Sequence, residues 1–292
     1  MSAAVLCMVL TAAVLHAVWN IAAKRADGSG ALFVWAYQAA GAVLLTGPAA
    51  VLLLRDPEAL TPRVLAAAVV TALLHIGYGV SLQKGYAQGD LSVVYPVARG
   101  TGPALTLLVA VAVLGERPGV WAAAGAVGIV AGIVIVTLQG RSSVSGSPDP
   151  ATLRRGLLWG LLTGAFIAGY TLWDDHVVGA GEVSPVLYFW LCSALQALLL
   201  GPVAVRRRSE LRGLLTRRWG TVLTVGVLSP AAYILVLFAM QQAPVSLIAP
   251  LRETSVVIGL VLARILFGER GLASRLAGAA LVVAGVALIA AG

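Results

Sequence analysis

Two arginines stand where an apolar sequence should have none. Arg99 and Arg252 each lie about two turns, roughly 10 Å, inside a stretch of aliphatic residues. A guanidinium offers five N–H donors in a planar fork, which matches a carboxylate, phosphate or phosphonate group. Holding one at the centre of a bilayer costs at least about 2.5 kcal/mol, so an arginine there carries a task. The two are related. Residues 95–117, YPVARGTGPALTLLVAVAVLGER, return as residues 249–270, APLRETSVVIGLVLARILFGER. Aligned on the shared Gly-Glu-Arg ending, Arg99 falls on Arg252, Thr101 on Thr254 and Glu116 on Glu269, all 153 positions apart. Glu253, next to the second arginine, is the deepest acid of the chain. Two readings follow: a structural ion pair across the two copies, for example Arg99 with Glu253, or capture of a carboxylate or phosphonate group by the guanidinium fork, and both hold if substrate or a proton competes for the pair. Both stand on sequence alone, and Glu253 is the candidate for proton coupling. Pro96 and Pro250 lie near the starts of the two copies, where each removes a backbone donor and marks a bend or gate.

Other polar residues recur at matched spacing. His16, Trp19, Asn20 and Lys24 fall within about 140° on a helical wheel and form one stripe. Tyr170, Trp173 and Asp174 repeat that spacing 154 positions on. His75, Tyr78 and Gln83 form a third polar face, and Tyr233 and Gln241 a fourth. Polar side chains at membrane depth face protein or a water-filled cavity. His16, His75, Tyr78, Asn20, Tyr170 and Tyr233 are therefore expected to line a central cavity, with Trp19 and Trp173 stacking or gating. Each has a plainer reading too: the histidines as interhelical hydrogen-bonding residues, the tryptophans as packing. Asp174, Asp175 and His176 sit near a helix end and read as headgroup-level groups. Glu116 and Glu269, in the Gly-Glu-Arg turns, read as helix caps or partners of the adjacent arginines.

The elements that position these residues are helices that cross a membrane. The 292 residues are 60% hydrophobic and 11% charged, against roughly 25% charged in a soluble domain; mean hydropathy is +0.95. Apolar runs long enough to span a bilayer, about 20 residues each, fill most of the chain and lack the alternation of a barrel. Ten spans fit between the polar breaks: about 3–23, 31–54, 63–85, 91–114, 119–138, 156–177, 183–205, 219–241, 246–267 and 272–290. The opening MSAAVLCMVL has no basic leader and runs on too far for a cleaved signal, so it reads as the first span. Residues 1–140 and 156–292 are expected to be five-helix halves joined by a polar linker at 141–155, and residues 206–218 a basic loop. An odd number of spans per half turns the second half upside down relative to the first, an inverted repeat with its site near the midplane.

Net charge is +8. In a soluble chain that would suggest nucleic acid; here the arginines sit between spans, where they fix topology and meet lipid headgroups. Cys7 and Cys192 form neither a disulfide framework nor a metal-spacing motif. No zinc spacing, Walker loop or GxSxG is present, so no enzyme, metal or cofactor is expected.

The pattern resembles the drug/metabolite transporter superfamily, EamA branch. The resemblance rests on Gly115-Glu116-Arg117 and Gly268-Glu269-Arg270, with Pro96 and Pro250 opening the same helices, and covers essentially the whole chain. It implies an all-α, ten-helix membrane protein of two inverted five-helix repeats. Spans four and nine would pack at the centre and one, three, six and eight would wall a cavity opened alternately to each side. His16-x-x-Trp19-Asn20-x-x-x-Lys24 is similar to the opening of a subgroup associated with phosphonate utilisation. The resemblance also implies cytoplasmic termini, whereas Lys and Arg counts put the termini outside. Span one has no deep glutamate, so the coupling of small four-helix multidrug exporters does not carry over. The expected activity is secondary active export of a small anionic or zwitterionic metabolite, such as an amino acid or organophosphonate, across the cell membrane. Protons are the expected coupling ion, and a monomer or homodimer the working unit. The alternatives are an amphipathic-cation exporter and a non-transporting membrane subunit.

Overall fold

The computed structural model describes residues 1–24, 30–89, 91–139, 150–179, 181, 183–267 and 272–291. Residue 140, linker residues 141–149 and the second turn with Glu269 and Arg270 lie outside that set. The first half holds α1 (Ala3–Lys24), α2 (Gly30–Arg55), α3 (Pro62–Gln88), α4 (Leu91–Ala112) and α5 (Val120–Gln139), with one 3-10 turn at Pro57–Ala59. The second holds α6 (Pro150–Gly179), α7 (Pro185–Arg206), α8 (Arg208–Met240), α9 (Val245–Arg252), α10 (Ser255–Phe267) and α11 (Leu272–Ala291). Seven helices, α1 to α4 and α6 to α8, are each long and apolar enough to cross a membrane, and α5 and α11 contain shorter apolar stretches. The remaining crossing is shared by α9 and α10. The protein is an all-α polytopic membrane protein of ten spans.

Helix contacts repeat across the halves. α3 packs on α6 as α8 packs on α1; α4 packs on α6 as α10 packs on α1; α2 meets α8 as α7 meets α3. The self-paired contacts, α2 with α7, α4 with α9 and α5 with α11, lie on the pseudo-two-fold axis. Five spans per half then put the repeats in opposite orientations. The α5–α11 contact depends on small residues, as membrane helix packing does. A Cβ added at Gly125 would lie 2.5 Å from the Gly285 carbonyl oxygen, and one at Gly285 would lie 2.6 Å from that of Gly125.

Three differences from the sequence expectation have local causes. α6 begins at Pro150 rather than at 156, because proline suits the first helical position, where its missing N–H is not needed. Residues 208–217, expected as loop, are helical and join the eighth span across Arg218, whose φ −130° and ψ 19° break the regular geometry. Leu214 anchors that segment among Leu32, Phe33, Ala36 and Ala204, while Arg208, Arg212 and Arg217 stay exposed. The ninth span, expected as one helix, is two half-helices of 8 and 13 residues. Around the break the backbone tightens to i→i+3 bonds, Glu253 N–H to Pro250 O at 3.0 Å and Thr254 N–H to Leu251 O at 3.1 Å. The Thr254 hydroxyl donates to the same Leu251 oxygen at 2.8 Å, the local competition by which threonine disfavours a helix interior.

Candidate functional site

The break in the ninth span points its charged residues at the middle of the fourth. Arg252 ends α9, Glu253 follows it, and Arg99 lies in α4, which packs against α9. All three are buried, at 4%, 1% and 6% exposure. Arg99 Nη1 donates to Glu253 Oε2 at 3.1 Å, so the pairing suggested by the sequence is present. Arg252 donates from Nε and Nη2 to Glu253 Oε1, both at 3.3 Å. One carboxylate is thus shared by two guanidiniums, one from each half, and the trio carries a net charge of +1. His16 Nε2 lies 3.1 Å from Arg99 Nη2. A guanidinium only donates, so Nε2 accepts and the imidazole is neutral with its proton on Nδ1.

Aromatic rings wall this trio. Arg99 lies 5.5 Å over the Tyr95 ring and Arg252 5.8 Å over Tyr170, in cation–π range. Tyr170 stacks on His75 at 4.1 Å and meets the rings of Tyr78 at 6.0 Å and Tyr233 at 5.9 Å. His75 Nδ1 lies 2.9 Å from the Thr71 carbonyl oxygen, which makes that nitrogen the protonated one. The helices that deliver these groups approach closely because α4 and α6 meet at glycines: a Cβ at Gly164 would fall 2.6 Å from Cβ of Thr101.

Arg99, Arg252, Glu253, His16, His75, Tyr78, Tyr170 and Tyr233 therefore meet in one contiguous network drawn from α1, α3, α4, α6, α8 and α9. Trp19 joins at the edge, its ring 4.7 Å from that of His16, and its buried indole N–H has no hydrogen-bond partner among the described residues. The Asn20 amide instead donates back to the His16 carbonyl at 2.7 Å. Trp173 lies towards the other end of its stripe: its indole N–H donates to Ala67 O at 3.1 Å, and with Arg63, Ala67 and His176 it lines a cavity of about 200 Å³ between α3 and α6. Pro250 is buried two residues before Arg252. Pro96 lies inside α4, three residues before Arg99, with no break after it.

One acid lies elsewhere than the sequence suggests, and a second caps a helix as expected, but in the other half. Asp174, read as a headgroup-level group, has no exposed surface. Tyr188 and Tyr233 donate their hydroxyls to its two oxygens at 2.8 and 2.6 Å. α6 runs five residues beyond it, so its place is inside the protein; its register with Tyr170 in the repeated stripe was the available signal. Glu116, expected to cap a helix or bind its neighbour, caps one in the other half. Its Oε1 and Oε2 accept from the Val245 and Ser246 N–H groups, both at 3.1 Å. Gly115 makes the turn that aims it, with a φ of +72° that favours glycine.

The family model for EamA-like transporters matches the chain twice, over residues 3–138 and 154–291. Among solved structures, the chain is similar to one described as "Crystal structure of protein". The two share 18% identity over 99% of this chain and 96% of the other, with a TM-score of 0.78, a likeness of fold. Comparison with curated proteins returned no match.

Proposed function

We propose, from the premise that this chain belongs to the EamA-like transporter family, that it is a secondary active exporter of a small anionic or zwitterionic metabolite in the cell membrane. Amino acids and organophosphonates are the candidate substrates. The observation that carries the reading is the shared carboxylate: Glu253 answers two buried guanidiniums, one from each half, and leaves one positive charge over. A substrate carboxylate or phosphonate supplies the missing negative charge and competes with Glu253 for the same donors. Because Arg99 belongs to the first half and Arg252 to the second, a ligand held by both responds to their relative movement. Alternating access then proceeds by rocking of the inverted halves about α4 and α9, with the break after Pro250 as the bend point. His16, Tyr78, Tyr170 and Tyr233 shape the remainder of the site, and Trp19 and Trp173 stack or gate.

The aromatic network beside Asp174 favours a second reading, export of an amphipathic cation, since tyrosine faces and a buried carboxylate suit cations. A thermal-stability screen of the detergent-purified protein separates the two, because ligand binding to the folded state raises the melting temperature. Amino acids, phosphonates, sugars and organic cations are tested in turn. A shift with one acidic or zwitterionic class, lost in Arg99→Ala, is the expected result. Arg99→Ala remains folded in this reading, since Glu253 keeps Arg252 as a partner. A shift with lipophilic cations alone, surviving Arg99→Ala and lost in Glu253→Gln, overturns the anion site.

A further inference from the structure

The anion site leaves one buried acid unused. Asp174 has no exposed surface, yet its described hydrogen-bond partners are hydroxyls: Tyr188 of α7 at 2.8 Å, Tyr233 of α8 at 2.6 Å, and Thr71 of α3. Glu253 differs: two guanidiniums hold its charge in place. Hydroxyl donors offset only part of the cost of burying a carboxylate charge, and adding a proton removes that charge altogether. A proton needs no preformed space, so the tight packing around Asp174 does not exclude it as the ligand.

The surroundings give a proton an entry and a consequence. The cavity of about 200 Å³ is lined by Trp173, His176 and Val177, on the same turn of α6 as Asp174. Val177 is three residues from Asp174 and shares its helix face. On the inner side, Tyr233 bonds Asp174 and lies 5.9 Å from Tyr170, whose ring lies under Arg252 at 5.8 Å. A chain of contacts therefore runs from Asp174 through Tyr233 and Tyr170 to the ion trio, and the cavity lies within one helical turn of its outer end. The groups that face Asp174 are Thr71 and His75 of α3, Tyr188 and Cys192 of α7, and Tyr233 of α8. Asp175 and His176 flank it on α6, and Arg252 of α9 stands beyond Tyr170.

We propose that Asp174, rather than Glu253, binds the coupling proton. A proton from water in the cavity adds to a carboxylate oxygen, and the carboxylate becomes a neutral carboxylic acid. With the proton on Oδ2, the oxygen that Tyr233 bonds, the acid donates where it had only accepted, so Tyr233 turns its hydroxyl or gives up the bond. That change reaches Arg252 through Tyr170. Release of the proton to water on the opposite side restores the carboxylate. The inference rests on the transporter reading for its purpose, but not on the anion reading of the substrate.

The test is pH-difference infrared spectroscopy of the purified protein in lipid vesicles with no substrate added, so its failure is separate from failure of the ligand screen. A buried carboxylic acid absorbs apart from the hydrated carboxyls of the loops. Acidification of the wild type is expected to raise one such band, absent in Asp174→Asn and retained in Glu253→Gln. Tyr233→Phe removes one donor but keeps the ring, and should move the midpoint of the band's titration. A band that persists in Asp174→Asn, a wild type with no such band, or loss of the band in Glu253→Gln overturns the proposal. If Asp174→Asn does not fold, Tyr233→Phe decides alone: an unmoved midpoint overturns it.

Discussion

The fourth and ninth spans start from one pattern and end as different objects. α4 runs unbroken through Arg99; its counterpart stops after Arg252 and restarts at Ser255. The aligned residues are Arg99-Gly100-Thr101 and Arg252-Glu253-Thr254, so the charge difference at the centre is one residue, Gly100 against Glu253. The first half supplies a cation alone. The second supplies a cation and the only carboxylate that the trio contains, and it does so at a break, where the backbone already departs from α-helical bonding. A duplicated element has thus become a donor on one side and a donor–acceptor pair on the other. Such asymmetry gives a two-fold fold a single site instead of two.

The strongest way to break this comparison is to remove the carboxylate. Glu253→Ala leaves two buried guanidiniums facing each other without a counter-charge, and stranding a buried charge costs about 3–5 kcal/mol. Thermal unfolding in detergent should show it as the least stable of the single variants at the trio, below Arg99→Ala, in which Glu253 keeps Arg252. Glu253→Gly combined with Gly100→Glu moves the acid to the first half. A Cβ at Gly100 would meet Val134 Cγ2 at 3.0 Å, a contact that a side-chain adjustment relieves. Partial recovery of the melting temperature is expected. A double variant no more stable than Glu253→Gly would mean that the break at 253, and not the charge alone, sets the site.

The break yields a smaller effect. Pro250 and Pro96 occupy similar places in the two copies, but only Pro250 is followed by tightened turns. Pro250→Ala restores a backbone donor and favours a continuous helix. In vesicle flux with whichever substrate the ligand screen identifies, it should slow transport more than Pro96→Ala does. Equal effects would make the two prolines a symmetric pair and the break incidental.

What the sequence could and could not show follows the same line. The repeat, the membrane class and the meeting of Arg99 with Glu253 were legible because each rests on spacing or composition, which a duplication preserves. The network of Tyr170, Tyr233 and His75 was legible as polar faces, since helical periodicity alone brings such faces together. The break at Glu253 and Thr254 was not, because Thr101 stands at the matching position of an unbroken helix; the local bonds that separate the two cases are tertiary outcomes. Asp174 was misjudged by its distance from the expected end of its span, which the structure extends to Gly179. The arginine-rich stretch reads as a loop because its leucines, Leu211, Leu214 and Leu215, are few; the packing of Leu214 and, in part, Leu211 against α2 and α7 is what makes it a helix.

Glu116 offers the finest test of how far the halves act on each other. Its carboxylate takes the first two N–H groups of α9, a helix of eight residues whose own N-cap, Pro244, supplies no side-chain cap. An uncapped helix start leaves donors unmet, and a charged acceptor there is worth about 1 kcal/mol or somewhat more. Glu116→Gln keeps one acceptor oxygen and loses the charge, so a drop of about 1 kcal/mol is expected, far less than at Glu253. Hydrogen exchange locates it: the amides of Val245 and Ser246 should exchange faster while those of α4 stay unchanged. Because α9 carries Arg252 at its other end, a loosened start should also weaken any ligand that depends on Arg252, by less than Arg252→Ala does. If exchange at the two amides does not change, the turn of the first half does not hold α9, and the coupling of the halves runs through the ion trio alone.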